Sequence, residues 1–149
     1  MHESNGNNFD ENIWIIFVLI VALIHGLIYV FLIPPWQHYD EPNHFEYVWA
    51  MAHGERDPSL VDGYADFSQE VIDSMIANGF YGGMGDQRVF PPPDDRNEVP
   101  GAAQLDEPPL YYLIESLPVR LVGISTVETQ LYMGRITSFF IYLATILIS

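Results

Sequence analysis

The segment of residues 36–44 concentrates the side chains best suited to chemistry: two carboxylates, Asp40 and Glu41, and two imidazoles, His38 and His44. Carboxylates accept protons from hydroxyl groups, and carboxylates with imidazoles bind divalent ions. Asp40 and His44 stand one helical turn apart, on a common face. With this spacing, the two acids are either catalytic or cap the N-terminus of a helix. The spacing also leaves open a divalent metal site of His38, Asp40 and His44, or a hydrogen-bonded surface cluster.

This cluster directly follows an apolar run, residues 13–33, that contains no charged side chain. The run is 21 residues long, and at about 1.5 Å of rise per residue it matches a hydrocarbon thickness of about 30 Å. Acidic residues precede it and Pro34 and Pro35 follow it, which fits a transmembrane helix better than a signal peptide. We therefore expect a membrane protein whose acid–histidine cluster lies at the lipid surface and faces a substrate, an ion or a partner.

A second apolar stretch, residues 130–149, predicts a second transmembrane helix that is apparently truncated. Arg135 near its start is expected to anchor the helix at the interface or to pair with a loop carboxylate. A helix ending at Ser149 would place a charged terminus at or inside the far face of the bilayer. We therefore expect a fragment of a longer polytopic protein, a truncated gene product, or a subunit whose end is buried by neighbours.

The charge of the chain is strongly unbalanced, with a formal net charge of −15 and no lysine. All acids except Glu3, Asp10 and Glu11 lie between the two apolar runs. Such a surface repels nucleic acid, so we expect no nucleic-acid partner. The absence of cysteine excludes disulfides and thiolate metal sites.

The predicted fold class is membrane α: two transmembrane helices joined by a long acidic loop with short juxtamembrane helices. Residues 1–12 are predicted to be a disordered polar tail. Within the loop, residues 34–129, Trp36 and Trp49 suit the membrane interface, and residues 79–109 are rich in Gly and Pro. Apolar periodicity in the loop predicts short helices near 41–53, 67–78 and 109–122.

His25 lies in the middle of the first apolar run, where an ionisable group is rare. The simpler interpretation is a neutral imidazole bonded to a neighbouring helix. The alternative is an axial ligand to a chlorin or haem in a pigment-bearing complex, with Gly26 permitting close approach.

Taken together, these elements resemble the N-terminal part of GT-C glycosyltransferases. The resemblance rests on a membrane helix, Asp40-Glu41 on a short helix outside it, the Pro-Pro-Leu-Tyr-Tyr-Leu segment of residues 108–113, and Arg135 at the start of the next membrane helix. The similar families are protein O-mannosyltransferases, aminoarabinose transferases of lipid A and a bacterial branch of predicted membrane proteins. The resemblance covers about residues 13–149 but only the first part of such an enzyme.

The resemblance implies a multi-pass protein of the cell membrane with its large loop extracytoplasmic. It implies a polyprenyl-phosphate sugar as donor and inversion at the anomeric carbon. Asp40 would be the base or a metal ligand, Glu41 its support and Arg135 a phosphate contact. His44, Asp106 and Glu107 are further expected binding residues, although relatives commonly have a histidine before the two prolines.

The resulting hypothesis is an N-terminal module or fragment of such a glycosyltransferase, not catalytically complete alone. The alternative is a non-catalytic accessory subunit of a large pigment-bearing or electron-transfer membrane assembly. Under either hypothesis, membrane lipid and other membrane subunits are the expected partners.

Overall fold

Helices account for all the regular structure in the computed structural model, which describes residues 5–38, 40–80, 107–123 and 125–148. The helices are α1 (Asn5–Phe31), α2 (Glu41–Ala52), α3 (Tyr64–Ala77), α4 (Pro109–Val122) and α5 (Val127–Ile148), with a 3₁₀ turn at Pro58–Leu60. α2, α3 and α4 occupy the three segments in which the apolar periodicity predicts loop helices. α3 begins three residues earlier than expected, after Gly63 in the left-handed region at φ 83°.

Two helices are long and apolar enough to cross a membrane. The first candidate span, Ile13–Phe31, has a mean hydropathy of 2.8, and the second, Val127–Ile148, has 1.6. In each helix only 17% of the apolar stretch is buried inside the protein. A core helix of a water-soluble protein would instead bury its apolar side chains against other elements. By length, hydropathy and exposure, the two helices therefore match the predicted membrane α class.

The first helix begins inside the segment that was expected to be a disordered tail. α1 starts at Asn5, so the prediction of disorder for residues 1–12 is wrong from residue 5 onward, and residues 1–4 lie outside the described residues. The physical reason is that helix propagation is cheap once an apolar helix is nucleated. No proline interrupts the segment, and Gly6 alone costs only about 1 kcal/mol.

α5 is the central element, because it packs against α1, α3 and α4, while α4 also packs against α2. One core cluster joins α2 and α3 to α5 through aromatic rings, among them Trp36, Phe45, Trp49 and Phe67. Trp36 is fully buried and Trp49 nearly so, so the expected placement of both indoles at a membrane interface is wrong. Both rings find their apolar surroundings inside the loop itself.

The chain turns sharply at Trp36, whose φ of 67° is unusual for a residue with a side chain. Its backbone N–H donates to Glu41 Oε2 at 2.8 Å, and its indole Nε1–H donates to Ser74 Oγ at 2.8 Å. These two buried bonds hold the strained corner in place. The corner turns the chain from the end of α1 into α2 and thereby positions Asp40.

A second cluster joins α2 to α4 through Tyr47, Val48, Tyr112 and Val119. Arg120 of α4 donates from Nε to the Ala52 carbonyl at 2.8 Å and from Nη2 to the Met51 carbonyl at 3.1 Å. A helix leaves its last carbonyls without intrahelical donors, and Arg120 supplies them. The opposite face of α4 exposes a row of apolar side chains: Leu110, Leu113, Ile114, Leu117 and Leu121.

Candidate functional site

A cleft of about 190 Å³ opens where the C-terminal end of α1, the start of α2, α4 and α5 meet. It lies beside the junction of the two membrane-length helices. Its lining combines ionisable and hydroxyl side chains, namely Tyr29, His38, Asp40, Glu41, His44, Tyr111, Glu115, Arg135 and Ser138. Five residues that the sequence predicts for the site thus line one cleft: His38, Asp40, Glu41, His44 and Arg135. Glu115, Tyr111 and Ser138 line the same cleft and were not predicted.

Asp40 presents its carboxylate to this cleft. It occupies the N-cap position of α2 but makes no capping hydrogen bond. Instead, His38 Nδ1 lies 2.5 Å from Oδ1 and His44 Nε2 lies 3.3 Å from Oδ2. Its side chain is 36% exposed. The capping explanation therefore fails for Asp40, because both carboxylate oxygens bind imidazoles.

The Asp40 carboxyl is held in its ionised form. Partial burial raises its pKa, but the hydrogen bond from His38, its own backbone N–H and the charges of His44 and His38 outweigh burial. The pKa of Asp40 is therefore lower than the ordinary value. An ionised carboxylate only accepts hydrogen bonds, so His38 Nδ1–H and His44 Nε2–H are the donors.

His44 is oriented from its other side by Tyr112 of α4. The Tyr112 hydroxyl lies 2.7 Å from His44 Nδ1, and the two rings stack with centroids 5.8 Å apart. Burial, with nearby negative charge including Glu107, raises the pKa of Tyr112 to about 12, so this hydroxyl keeps its proton. The Tyr112 hydroxyl therefore holds the Nδ1 side of the His44 ring, so that Nε2 faces Asp40.

The set His38, Asp40 and His44 meets in space but not as a metal centre. Among the residues that the structure describes, no group of three ligand side chains is arranged to hold a metal ion. The reason is that each imidazole directs a nitrogen at a different oxygen of Asp40 rather than at a shared point. The hydrogen-bonded cluster that the spacing also allowed is the arrangement found.

Glu41 follows Asp40 in the chain, but it is buried and paired with a cation, whereas Asp40 is partly exposed. The two Glu41 oxygens accept from Arg135 Nε at 2.6 Å and Arg135 Nη2 at 2.8 Å. Oε2 also accepts the backbone N–H of Trp36. Glu41 makes no hydrogen bond to Asp40 among the described contacts, and its role is to hold the corner between α1 and α2.

Arg135 uses all its donors within the protein. Besides Glu41, Nη1 donates to the carbonyls of Ile33 at 2.6 Å and Tyr29 at 3.5 Å, and Nη2 donates to that of Pro34 at 3.0 Å. A guanidinium has five N–H donors, and only 3% of the side chain is exposed. Of the expected roles, pairing with a loop carboxylate is confirmed. A role as phosphate contact finds no free donor.

Two other binding residues, Asp106 and Glu107, are predicted from the sequence. Asp106 lies outside the described residues. Glu107 is exposed just before α4 and does not line the cleft. These acids therefore add no described contact to the Asp40 site.

The His25 position has a packing explanation. His25 is exposed on α1, and within the described part of the chain no hydrogen bond to it is found, so the expected bond to a neighbouring helix is not seen. A Cβ added at Gly26 would overlap the ring of Phe139 on α5. Gly26 thus lets α1 and α5 approach each other. A cavity of about 220 Å³ remains beside His25 and Gly26, with Phe139 and Tyr142 in its lining, and a chlorin or haem ligand at His25 stays a prediction.

Sequence reasoning missed Glu115 of α4. Only 5% of this residue is exposed, and its Oε1 accepts from the Tyr111 hydroxyl at 2.7 Å and from the Ser138 hydroxyl. Burial raises the pKa of Glu115, although both hydrogen bonds lower it. One feature of the sequence could have indicated Glu115: it is the single carboxylate within the apolar periodicity of residues 110–121.

Comparisons with protein-family models, with curated proteins and with solved structures found no match.

Proposed function

We propose that this chain is the N-terminal module of a GT-C type membrane glycosyltransferase that uses a polyprenyl-phosphate sugar as donor. The single observation that carries the proposal is the contrast between the two adjacent acids. Asp40 is ionised and accessible in an open cleft, whereas Glu41 is sequestered by Arg135. Only Asp40 is available to a substrate.

The place of the cleft supports a lipid-linked substrate. It lies between the C-terminal end of α1 and the first half of α5, at the junction of the two membrane-length helices. If both helices cross the bilayer, Asp40 lies near headgroup depth, where the phosphate of a polyprenyl carrier also lies. In this arrangement the loop is extracytoplasmic and the protein belongs to the cell membrane.

In the proposed reaction, an acceptor hydroxyl oxygen attacks the anomeric carbon of the donor sugar. The bond between that carbon and the phosphate oxygen breaks, and its electron pair leaves with the phosphate. Asp40 accepts the proton of the acceptor hydroxyl. A single displacement of this kind inverts the anomeric centre. His44, held by Tyr112, and His38 orient Asp40 through their hydrogen bonds. The Asp40 side chain is 36% exposed and passes the proton to water.

The proposal is tested by sugar transfer in membranes from cells that express the complete gene. The probes are undecaprenyl phosphates carrying labelled mannose, glucose or aminoarabinose, and the readout is label in membrane glycans and proteins. Asp40→Asn should slow transfer by about 10²- to 10⁴-fold, the usual contribution of a general base. Glu107→Gln is the matched control, because Glu107 is acidic, exposed and outside the cleft. It should leave transfer unchanged.

Equal transfer rates for Asp40→Asn and Glu107→Gln would show that Asp40 is not the general base. No transfer by the wild-type protein from any of the three donors would count against the glycosyltransferase function.

The orientation in the membrane has its own test. The chain has no cysteine, so a Glu107→Cys variant carries one reactive thiol at an exposed position. A membrane-impermeant maleimide added outside intact cells should label it. Labelling that requires permeabilised cells would place the loop on the cytoplasmic side and contradict the proposed topology.

A further inference from the structure

A second carboxyl group, Glu115, lines the same cleft as Asp40 but in a different environment. Asp40 is partly exposed and bound by two imidazoles. Glu115 is enclosed between α4 and α5, and its partners among the described residues are neutral hydroxyl groups. One carboxyl group stabilised as an anion and another stabilised as an acid are the two halves of acid–base chemistry.

The contacts around Glu115 bring no positive charge to the group. Glu115 Oε1 accepts from the Tyr111 hydroxyl and from Ser138 Oγ, and these two hydroxyls contact each other at 2.8 Å. Both of these described partners are neutral, and only 5% of Glu115 is exposed. Enclosure beside neutral partners favours the protonated form of a carboxyl group.

The surrounding charges do not favour the ionised form. Burial raises the pKa of Glu115, and its hydrogen bonds lower it less. Arg135 is the guanidinium that lines the cleft, but its charge is compensated by Glu41. The ionisable groups that line the cleft or act near Glu115 are Tyr29 of α1, His38, Asp40, Glu41 and His44 at and before α2, Tyr111 and Tyr112 of α4, and Arg135 of α5.

We propose that Glu115 holds a proton at neutral pH and donates it to the phosphate that leaves in the reaction proposed above. This inference rests on the proposed function. The departing phosphate gains negative charge as its bond to the sugar breaks. Arg135 has no donor left to neutralise that charge, and a neutral carboxylic acid in the same cleft can supply a proton instead.

The proton balance closes over one turnover. The acceptor hydroxyl loses its proton to Asp40, and the Glu115 O–H proton goes to an oxygen of the leaving polyprenyl phosphate. The enzyme then holds a protonated Asp40 and an ionised Glu115. Asp40, whose side chain is partly exposed, releases its proton to water, and Glu115 takes one from water that enters when the product leaves. No oxidant, reductant or other co-reactant is required.

The protonation state is tested first, without any substrate. Infrared spectra of the purified protein in detergent, recorded across neutral pH in H₂O and D₂O, should show the C=O band of a buried protonated carboxylic acid. Glu115→Gln should remove a component of this band. Glu46→Gln is the matched control, because Glu46 is also buried with a raised pKa, accepts from the Tyr64 hydroxyl and lies outside the cleft. It should remove a different component.

The role in transfer is tested by the pH profile of kcat/KM with the labelled undecaprenyl-phosphate sugars. For the wild-type protein, kcat/KM should fall at high pH, where Glu115 ionises. Glu115→Gln should slow transfer by about 10²-fold or more and abolish that fall. Glu46→Gln should keep both the rate and the pH profile.

The outcomes separate the two proposals. Absence of an infrared component that depends on Glu115 overturns the inference whatever the activity. Wild-type rate and pH profile in Glu115→Gln overturn it while the glycosyltransferase function stands. Absence of transfer by the wild-type protein overturns the function and, with it, the role of Glu115 in transfer.

Discussion

Arg135 and Glu41, 94 residues apart in the chain, form a buried two-point ion pair, with Arg135 Nε 2.6 Å from Glu41 Oε1 and Arg135 Nη2 2.8 Å from Glu41 Oε2. The same guanidinium binds the carbonyls at the end of α1. One side chain of α5 thus fixes both the end of the first membrane-length helix and the start of α2. The position of Asp40 depends on this ion pair.

Removing one partner of the ion pair should destabilise the protein strongly. Arg135→Met leaves Glu41 buried without its counter-ion, and we expect a loss of about 3–5 kcal/mol in the free energy of unfolding. Denaturant unfolding in mixed micelles measures it. Glu41→Gln combined with Arg135→Met should lose less than the two single changes added together, because the second change removes the uncompensated charge. Additive losses would show that the two side chains are not coupled.

The bond between Trp36 and Ser74 should contribute measurably to stability. Ser74→Ala leaves the buried indole N–H of Trp36 without its acceptor, and we expect a cost of about 1–3 kcal/mol. Ser59→Ala is the control, because Ser59 is exposed and donates to Asp57, and it should change stability by at most about 0.5 kcal/mol. Thermal unfolding compares the two variants, and equal melting temperatures would contradict the buried bond.

Glu115 should make stability fall as pH rises. Its pKa is raised in the folded protein, so its stabilising contribution is fully present below the unfolded pKa of about 4.3 and is lost as pH rises through the folded pKa. Between these values one proton contributes a slope of about 1.4 kcal/mol per pH unit. Glu115→Gln should flatten the measured dependence of unfolding free energy on pH. An unchanged slope would show that Glu115 titrates alike in both states.

Gly26 and Gly134 provide a matched pair for the packing of α1 on α5. Gly26→Ala places a Cβ against the Phe139 ring, whereas a Cβ at Gly134 meets no atom within 4 Å. Overpacking costs about 1–3 kcal/mol, and alanine in a helix gains up to about 1 kcal/mol over glycine. We therefore expect Gly26→Ala to lower the melting temperature and Gly134→Ala to leave it equal or higher. Recovery in Gly26→Ala combined with Phe139→Ala would assign the loss to this contact, and no recovery would refute it.

Much of the helical framework follows from local patterns. The length and hydropathy of residues 13–33 predict a membrane-length helix, and the apolar spacing of residues 110–121 predicts the face that α4 exposes. The start of α1 at Asn5 could not be predicted from composition, because a polar segment is helical when it continues a nucleated helix.

Sequence alone determined that two carboxylates and two imidazoles directly follow a membrane-length helix, because that is a matter of order and spacing along the chain. Only the tertiary structure decided which acid is available, which partner Arg135 takes and that Glu115 lies beside Asp40. Burial and hydrogen bonding set the chemistry of an ionisable group, and the groups that supply them here come from helices distant in sequence. Two adjacent residues, Asp40 and Glu41, therefore have opposite roles that no local pattern distinguishes.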